Sequence, residues 1–144
     1  MPEEAQGKEE AGVVIDVLSE GECLELLGDH HFGRIGVVVD GQPIILPVNY
    51  VFDGGQVVLR TDPGTKLTAA AQGHVAFEVD EIDPDSRTGW SVLVTGVGFE
   101  VTDALDATST AARRFPVDTW APGRRSHWIR IRAGEISGRR LRPG

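Results

Sequence analysis

The sequence predicts a mainly β protein, an antiparallel barrel of about six strands joined by short α-helices. Apolar residues alternate with a period of two along much of residues 33–101, as in strands that bury one face. Turn pairs such as Asp40-Gly41 and Asp53-Gly54 separate these runs and predict hairpins. Closing such a sheet into a barrel leaves the fewest unpaired edges.

The composition of the 144-residue chain fits one domain with an apolar core, since 40% of its residues are hydrophobic. We expect the acidic, unpatterned residues 1–12 to form a disordered tail and residues 13–144 to form the domain. The net charge of −8 argues against nucleic-acid binding, which uses a basic face. No apolar run is long enough to span a membrane and no secretion signal is evident, so we expect a cytoplasmic protein.

The first half of the chain predicts one helix followed by a three-stranded meander. Ser19 and Glu22 have the spacing of a capping box, and Gly28 would end the helix, which covers about residues 20–29. The predicted strands cover residues 35–39, 42–52 and 57–61.

The second half predicts three further strands and two short helices. Gly96 and Gly98 lie inside one strand and predict a bulge or bend there. The predicted elements are, in order, a helix from Thr65 to about Gln72, a strand over His74–Asp80, a polar loop over residues 81–89, a strand over Trp90–Val101, a helix from Asp103 or Asp106 to about Arg114, and a strand over His127–Arg132.

The common catalytic and metal-binding spacings are absent from the sequence. It contains no Gly-x-Ser-x-Gly elbow and no complete dinucleotide-binding glycine pattern. Its four histidines lack metal-ligand spacing, and a single cysteine, Cys23, excludes an internal disulfide and a cysteine-rich metal site. The sequence therefore predicts no metal and identifies no catalytic residue.

The stretch LRTDPGTK, residues 59–66, is the strongest candidate for a binding site. Arg60 would end a strand, while Thr65 and Lys66 would open a helix whose free N–H groups attract anions. Arginine adds planar paired donors and lysine adds a point charge. The stretch is therefore either a phosphate site or an ordinary hairpin end, and on spacing alone the hairpin end is the simpler interpretation.

Four short motifs occur in order along the chain and carry a resemblance. They are Gly33-Arg34-Ile35-Gly36, then Pro47-Val48-Asn49-Tyr50, then Arg60-Thr61 with Thr65-Lys66, and finally Gly89-Trp90-Ser91-Val92. Together they resemble the pyridoxamine 5′-phosphate oxidase-like family of flavin-binding, antiparallel split β-barrels, over roughly residues 19–140. The resemblance is strongest to its small actinobacterial-type members and to its nitroimidazole-reductase-like branch.

The resemblance implies a homodimer with one FMN in each of two clefts between the subunits. The residues that would line the flavin ring and ribityl chain, largely through their backbone, are Pro47, Val48, Asn49 and Tyr50. Those that would hold the phosphate are Arg60, Thr61 and Lys66, with Thr65 beside them. Trp90 and Ser91 would reach the same cofactor from a neighbouring strand.

Structural roles remain open for several of these residues. Asn49 could bond a nearby backbone group, and Tyr50, Trp90 and Trp128 could pack in the core or in a dimer interface. The substrate-phosphate pattern of the true oxidases, Ser-x-x-Ser-Gln-x-Gly, is absent from this sequence. Arg125-Ser126-His127 resembles their Arg-x-His pair only weakly, so vitamin B6 oxidation is not the expected reaction.

The function that the resemblance implies is an FMN-dependent oxidoreductase acting on an unknown small molecule. In such enzymes the protein positions the cofactor, and the flavin carries out the hydride chemistry. The alternatives are a reductase that uses the deazaflavin F420 and a non-catalytic protein that binds flavin or haem.

Overall fold

The computed structural model describes residues 12–61, 66–101 and 127–144, which form seven strands and two helices. The predicted helix that begins at Asp103 or Asp106, and all but the last residue of the predicted tail, lie outside these ranges. The elements are β1 (Val13–Val17), α1 (Glu20–Asp29), β2 (Phe32–Val39), β3 (Gln42–Asp53), β4 (Gln56–Thr61), α2 (Lys66–Ala70), β5 (Gly73–Asp83), β6 (Thr88–Glu100) and β7 (His127–Pro143).

Six of the strands close into an antiparallel barrel, in the order β7-β4-β3-β2-β5-β6 and back to β7. The predicted antiparallel β-barrel with short helices is therefore confirmed. β1 lies outside the ring and pairs with the C-terminal part of β7. The ladder between β2 and β5 has only three residue pairs, from Arg34–Glu78 to Gly36–Ala76, so the ring is joined by few backbone bonds at this point.

Alternating apolar side chains fill the barrel, as the two-residue period predicted. On β3, Tyr50 is buried in the core, and Ile44, Leu46, Val48 and Phe52 pack against it from the same side of the strand. The opposite side of each barrel strand forms the outside of the barrel. The fully buried members of the core include Leu27, Ile35, Val57, Leu59, Phe77, Val92, Val94, Ile129 and Ile131.

Helix α1 closes one end of the barrel and begins at the predicted capping box. The Ser19 N–H donates to Glu22 Oε1 at 2.9 Å, and the Glu22 N–H donates to Ser19 Oγ at 3.1 Å. The helix ends with His30 as its C-cap, one residue beyond Asp29 rather than at Gly28. Its buried side chains, Cys23 and Leu27, join the barrel core.

The two predicted hairpins are confirmed by their backbone angles. Asp40 and Gly41 have φ values of 53° and 80°, and Gly54 and Gly55 have φ values of 60° and 82°. Two consecutive left-handed residues are the signature of the tight turn whose twist matches the flanking strands. The meander β2-β3-β4 therefore forms as predicted, with its register set at both turns.

The prediction that residues 81–89 form a loop was largely wrong. β5 continues to Asp83 and β6 begins at Thr88, so the two strands pair up to Asp83–Thr88. Residues 81–83 are exposed, because this hairpin extends past the barrel and buries no side chains there. Backbone hydrogen bonds alone form these strand ends. Their mostly polar side chains show no apolar alternation, so the sequence pattern did not predict them as strands.

The last strand is longer than predicted, and β1 was not predicted at all. β7 continues past Arg132 to Pro143. This extension was not predicted because a bulge interrupts the two-residue period of the strand. Thr95 pairs with Glu135 and Gly96 with Ala133, which leaves Gly134 as the extra residue. This confirms the irregularity predicted at Gly96 in β6. β1 is short and apolar in four of five positions, so it carries no clear two-residue alternation.

Candidate functional site

The four residues Pro47 to Tyr50 lie on β3 and present alternate faces. Val48 and Tyr50 point into the barrel core, so a bound molecule outside the barrel could meet only their backbone. Pro47 and Asn49 point outward, and Asn49 pairs with Phe32 of β2 across the ladder. Asn49 is therefore the polar side chain of this segment that lies on the outside of the barrel.

Tyr50 places a polar hydroxyl group inside the apolar core. Its side chain is 1% exposed, and its hydroxyl donates to the Leu27 carbonyl at 2.6 Å. Its ring meets the Phe77 ring edge-on, with the centroids 4.8 Å apart. Burial raises the pKa of Tyr50, so the phenol stays neutral and remains a hydrogen-bond donor.

Arg60 lies next to Asn49 on the outside of the barrel. The β3–β4 ladder ends at the pair Tyr50–Leu59, and Asn49 and Arg60 are the next residues beyond it on their strands, so both face outward at this end of the ladder. The Arg60 guanidinium lies 5.2 Å from the centroid of the Trp128 ring, and the backbones of these two residues pair across β4 and β7. A cation held over an indole ring is both oriented and partly desolvated.

The stretch predicted to bind phosphate is only partly described by the structure. Thr61 ends β4 and Lys66 begins α2, but their side chains and all of residues 62–65, including Thr65, lie outside the described part of the chain. α2 has five residues and ends at Ala70, earlier than the predicted Gln72. Few peptide dipoles are aligned in so short a helix, and the predicted contribution of the helix start to anion binding is therefore small. Side chains would have to provide most of the binding energy for an anion.

The turn that follows α2 packs closely against β6. Thr68 and Ala71 are buried, and a Cβ built on Gly98 would overlap the Ala71 carbonyl oxygen. Only a residue without a side chain lets α2 and its following turn approach β6 this closely. The interior glycine noted in the sequence therefore serves this contact.

Trp90 and Ser91 lie near the start of β6, and their pairing partners on β7 are far from the partner of Arg60. Trp90 is 7% exposed in the core, with its ring centroid 4.7 Å from that of His30, so its indole is a packing group in this chain. Ser91 points outward and pairs with Arg139 of β7, whereas Arg60 pairs with Trp128. Eleven residues of β7, about 36 Å of strand, separate these two pairings. A single chain thus gathers the β3 segment and Arg60 but leaves Ser91 apart.

The outward side of β2, β3, β5 and β6, termed the outer face below, is largely apolar. Ile45 is 72% exposed, Val38 60% and Leu93 43%. Gly36 and Ala76 lie between these side chains and leave a groove of about 610 Å³, with His74 and Glu135 among its lining residues. An exposed apolar surface of this kind marks an interaction site more often than a solvated surface.

A charged cluster that sequence reasoning missed lies within the outer face. Arg34 of β2 reaches two carboxylates of β5: its Nη2 lies 3.1 Å from Glu78 Oε1 and 2.6 Å from Asp80 Oδ1. Its Nε also donates to Glu78 Oε1 at 3.1 Å. Glu78 and Asp80 are two residues apart in an alternating strand, and that spacing was the available signal that both would face the same side.

The two carboxylates titrate in opposite directions. Burial, followed by hydrogen bonding with Asp80 and its charge, raises the pKa of Glu78 to about 7. Hydrogen bonding with Glu78 and then with Arg34 lowers the pKa of Asp80. One arginine cannot compensate two carboxylates, so the pair binds a proton at a higher pH than an isolated carboxyl group would, and in neutral solution this proton is only partly bound.

Two of the histidines, His30 and His31, have local contacts with the backbone. His30 Nδ1 lies 2.8 Å from the Leu26 carbonyl oxygen and its Nε2 lies 3.7 Å from Glu81 Oε2. His31 Nδ1 lies 3.4 Å from the Tyr50 carbonyl oxygen. No three metal-ligating side chains come together in the parts of the chain that the structure describes.

Residues 19–140 match the family model described as pyridoxamine 5′-phosphate oxidase. The chain belongs to this pyridoxamine 5′-phosphate oxidase family. The resemblance drawn from the sequence motifs is thereby confirmed.

No helix within the described ranges is long and apolar enough to cross a membrane.

Solved structures of similar proteins share this fold. A Mycobacterium smegmatis FAD binding protein is 37% identical, with 88% of this chain and 98% of that chain covered at a TM-score of 0.67. A Corynebacterium glutamicum protein named for pyridoxamine 5′-phosphate oxidase is 31% identical, with 90% and 95% covered at a TM-score of 0.76. A Mycobacterium tuberculosis protein without an assigned function is 38% identical over 92 residues, and the chain spans 60% of its length.

Proposed function

We propose that this protein is an FMN-binding oxidoreductase that acts on a small molecule and binds the flavin through its 5′-phosphate. The observation that carries the proposal is the adjacency of Asn49 and Arg60 on the outside of β3 and β4. An amide and a guanidinium side by side suit the polar ribityl chain and the phosphate of a flavin nucleotide. The family assignment supports the same cofactor class.

The residues of the chain fit the two ends of such a cofactor. The outward side of β3 from Pro47 to Tyr50 would lie along the ring system and the ribityl chain, with the Pro47 and Asn49 side chains on the side of the ligand. Arg60, oriented by the Trp128 ring, offers paired N–H donors to the phosphate. Thr61, Thr65 and Lys66 complete the phosphate-binding set on the strength of the sequence motif.

When bound, the flavin supplies the hydride or electron transfer, and the protein orients it and limits its exposure to water. Two structural relatives support a flavin: the FAD binding protein of M. smegmatis, and a Mesorhizobium loti FAD-binding protein that is 26% identical with a TM-score of 0.70 over 90% of this chain. FAD contains the FMN moiety, so the same phosphate group would serve either nucleotide, and FAD is the second candidate ligand.

A second copy of the chain is part of the proposal. Ser91 is remote from Arg60 within one chain, so the predicted cofactor residues would surround one flavin only if Ser91 came from a second subunit. The exposed apolar side chains of the outer face support the same arrangement. Closure by a two-fold axis would give a homodimer with two equivalent clefts.

The test is to purify the protein and identify the cofactor that it retains or takes up. We expect a yellow protein with flavin absorbance, and mass spectrometry of the released cofactor should give FMN or FAD. A deazaflavin mass would support the F420-dependent alternative. A colourless protein that binds neither FMN nor FAD on titration would contradict the proposal.

A further inference from the structure

We propose that Arg34, Glu78 and Asp80 form a proton-binding site in the outer face, and that dimer formation through this face takes up a proton at each site. This inference rests on the proposed dimer and concerns its regulation by pH. It follows from the geometry of three charged side chains, from their place in the barrel and from the surface around them.

The first step is a count of charge. Arg34 is the shared cation, bonded to Glu78 through two of its nitrogens and to Asp80 through one. With both carboxylates ionised the cluster carries one net negative charge, and with one proton bound it is neutral. Moving a net charge out of water is costly, whereas a neutral hydrogen-bonded cluster is tolerated at an interface.

The second step is the position of the cluster. Arg34 and Glu78 form the last pair of the short β2–β5 ladder, and their side chains, with that of Asp80, keep 29% to 35% of their surface exposed. Ile45 and Leu93 line one cavity with all three charged residues. Any molecule that covers these apolar side chains must therefore also cover the cluster.

The third step is the set of other groups that face Glu78. Glu78 pairs directly with Leu93 of β6, and Pro47 of β3 pairs with Arg34 on the other side. Both of these neighbours are uncharged. Arg139 of β7 shares a larger cavity with Glu78, beyond Ser91. On β5 itself, His74 lies four residues away on the same side. Arg34 and Asp80 are thus the charged groups in direct contact.

The direction of the pH effect follows from these contacts. The pKa of Glu78 is already raised to about 7 by burial and by Asp80. Covering the cluster with a second copy removes more water and raises that pKa further. Dimerisation then takes up protons, so the dimer is strongest below pH 7 and weakens as the pH rises through and above that value.

The experiment is sedimentation velocity on the full-length protein from about pH 6 to about pH 8.5, with and without FMN, for wild type, Glu78→Gln and Glu25→Gln. Linkage of one proton per subunit should raise the wild-type dissociation constant at least about tenfold across this range. Glu78→Gln mimics the protonated carboxyl and should keep a low, nearly pH-independent constant. Glu25 is exposed on α1, away from the outer face, and its variant should match wild type.

The dissociation constant of Glu78→Gln could instead depend on pH as strongly as that of wild type. The dependence would then come from another group, such as His74, and this result would overturn the inference but not the dimer. A monomer at every pH, with and without FMN, would overturn the dimer and the inference together. A ¹³C NMR titration gives a second readout that does not depend on the variant folding. A Glu78 midpoint near its ordinary value of 4.5 would also overturn the inference.

Discussion

The hydroxyl of Tyr50 donates a 2.6 Å hydrogen bond to the backbone carbonyl of Leu27 and so ties β3 to helix α1. Tyr50 ends the sequence motif that implied flavin binding, yet its side chain points away from the outside of the barrel. The same bond fixes the strand whose outward edge carries Pro47 and Asn49. The motif therefore combines one residue that holds the strand with two that point to the outside of the barrel, where we propose that the flavin binds.

Tyr50→Phe should lower the free energy of unfolding by about 1–2 kcal/mol, because the buried Leu27 carbonyl loses its side-chain donor. Flavin affinity should stay the same, since only the backbone of Tyr50 faces the site. Urea denaturation measures the first effect and flavin titration the second. Unchanged stability together with weaker flavin binding would show that the phenol serves the ligand and not the fold.

Arg60→Ala should weaken FMN binding by roughly 1.5–3 kcal/mol, the value of a hydrogen bond to a charged group. Riboflavin affinity should not change, because riboflavin has no phosphate. Arg142→Ala is the matched control: Arg142 is a surface arginine paired with Asp16 at 2.7 Å on the far strand β1, and its loss should affect neither ligand. The sequence predicts that Lys66→Ala behaves like Arg60→Ala.

An equal loss of FMN and riboflavin affinity in Arg60→Ala would mean general damage to the cleft. A thermal melt of each variant separates that case from a specific loss, since Arg60 ends on the outside of the barrel and its removal should leave the core intact.

Gly33→Ala should be strongly destabilising, whereas Gly36→Ala on the same strand should fold normally. A Cβ on Gly33 would lie 2.6 Å from the Glu78 carbonyl oxygen and 2.8 Å from the Phe77 ring, so β2 and β5 would have to separate. A Cβ on Gly36 would meet the Ala76 side chain at an ordinary 3.7 Å. We expect a loss of about 1–3 kcal/mol or more for Gly33→Ala, as for other overpacked sites. Equal stability of the two variants would contradict the described packing.

Glu78→Gln should stabilise the monomer at high pH and not at low pH. The pKa of Glu78 is raised from 4.5 to about 7, so the folded state favours its protonated form. Its contribution to stability is complete below pH 4.5 and is lost as the pH rises to about 7. Urea denaturation of wild type and variant, at dilutions that keep the chain monomeric, should therefore give stability curves that diverge between about pH 4.5 and about pH 7 and stay apart above neutrality. Parallel pH profiles would show that Glu78 titrates normally.

Turns, caps and the two-residue period made most of the fold predictable from the sequence. Asp40-Gly41 and the Ser19–Glu22 capping box are local devices, so their residues alone specify the structure. β7 was predicted only to Arg132 because the extra residue Gly134 breaks the alternation. A bulge depends on the partner strand, here on Gly96, and that pairing is not visible from one segment.

The site was predictable in part for the same reason. Asn49 and Arg60 lie on consecutive strands of one hairpin, so the sequence brings them together directly. The Arg34 cluster joins β2 to β5, which are distant in sequence and adjacent only because the barrel closes. Ser91 lies on the far part of β7's partner strand, and whether it reaches a flavin depends on a second chain, which sequence patterns do not describe.

A titration of the purified, cofactor-free protein with FMN and with riboflavin tests the central claim most directly. The two ligands share the ring and the ribityl chain and differ only in the phosphate that Arg60 and Lys66 would hold. Two charge-assisted hydrogen bonds should make FMN bind at least about tenfold more tightly in low-phosphate buffer. Equal affinity for the two ligands, measured by quenching of their fluorescence, would contradict the account.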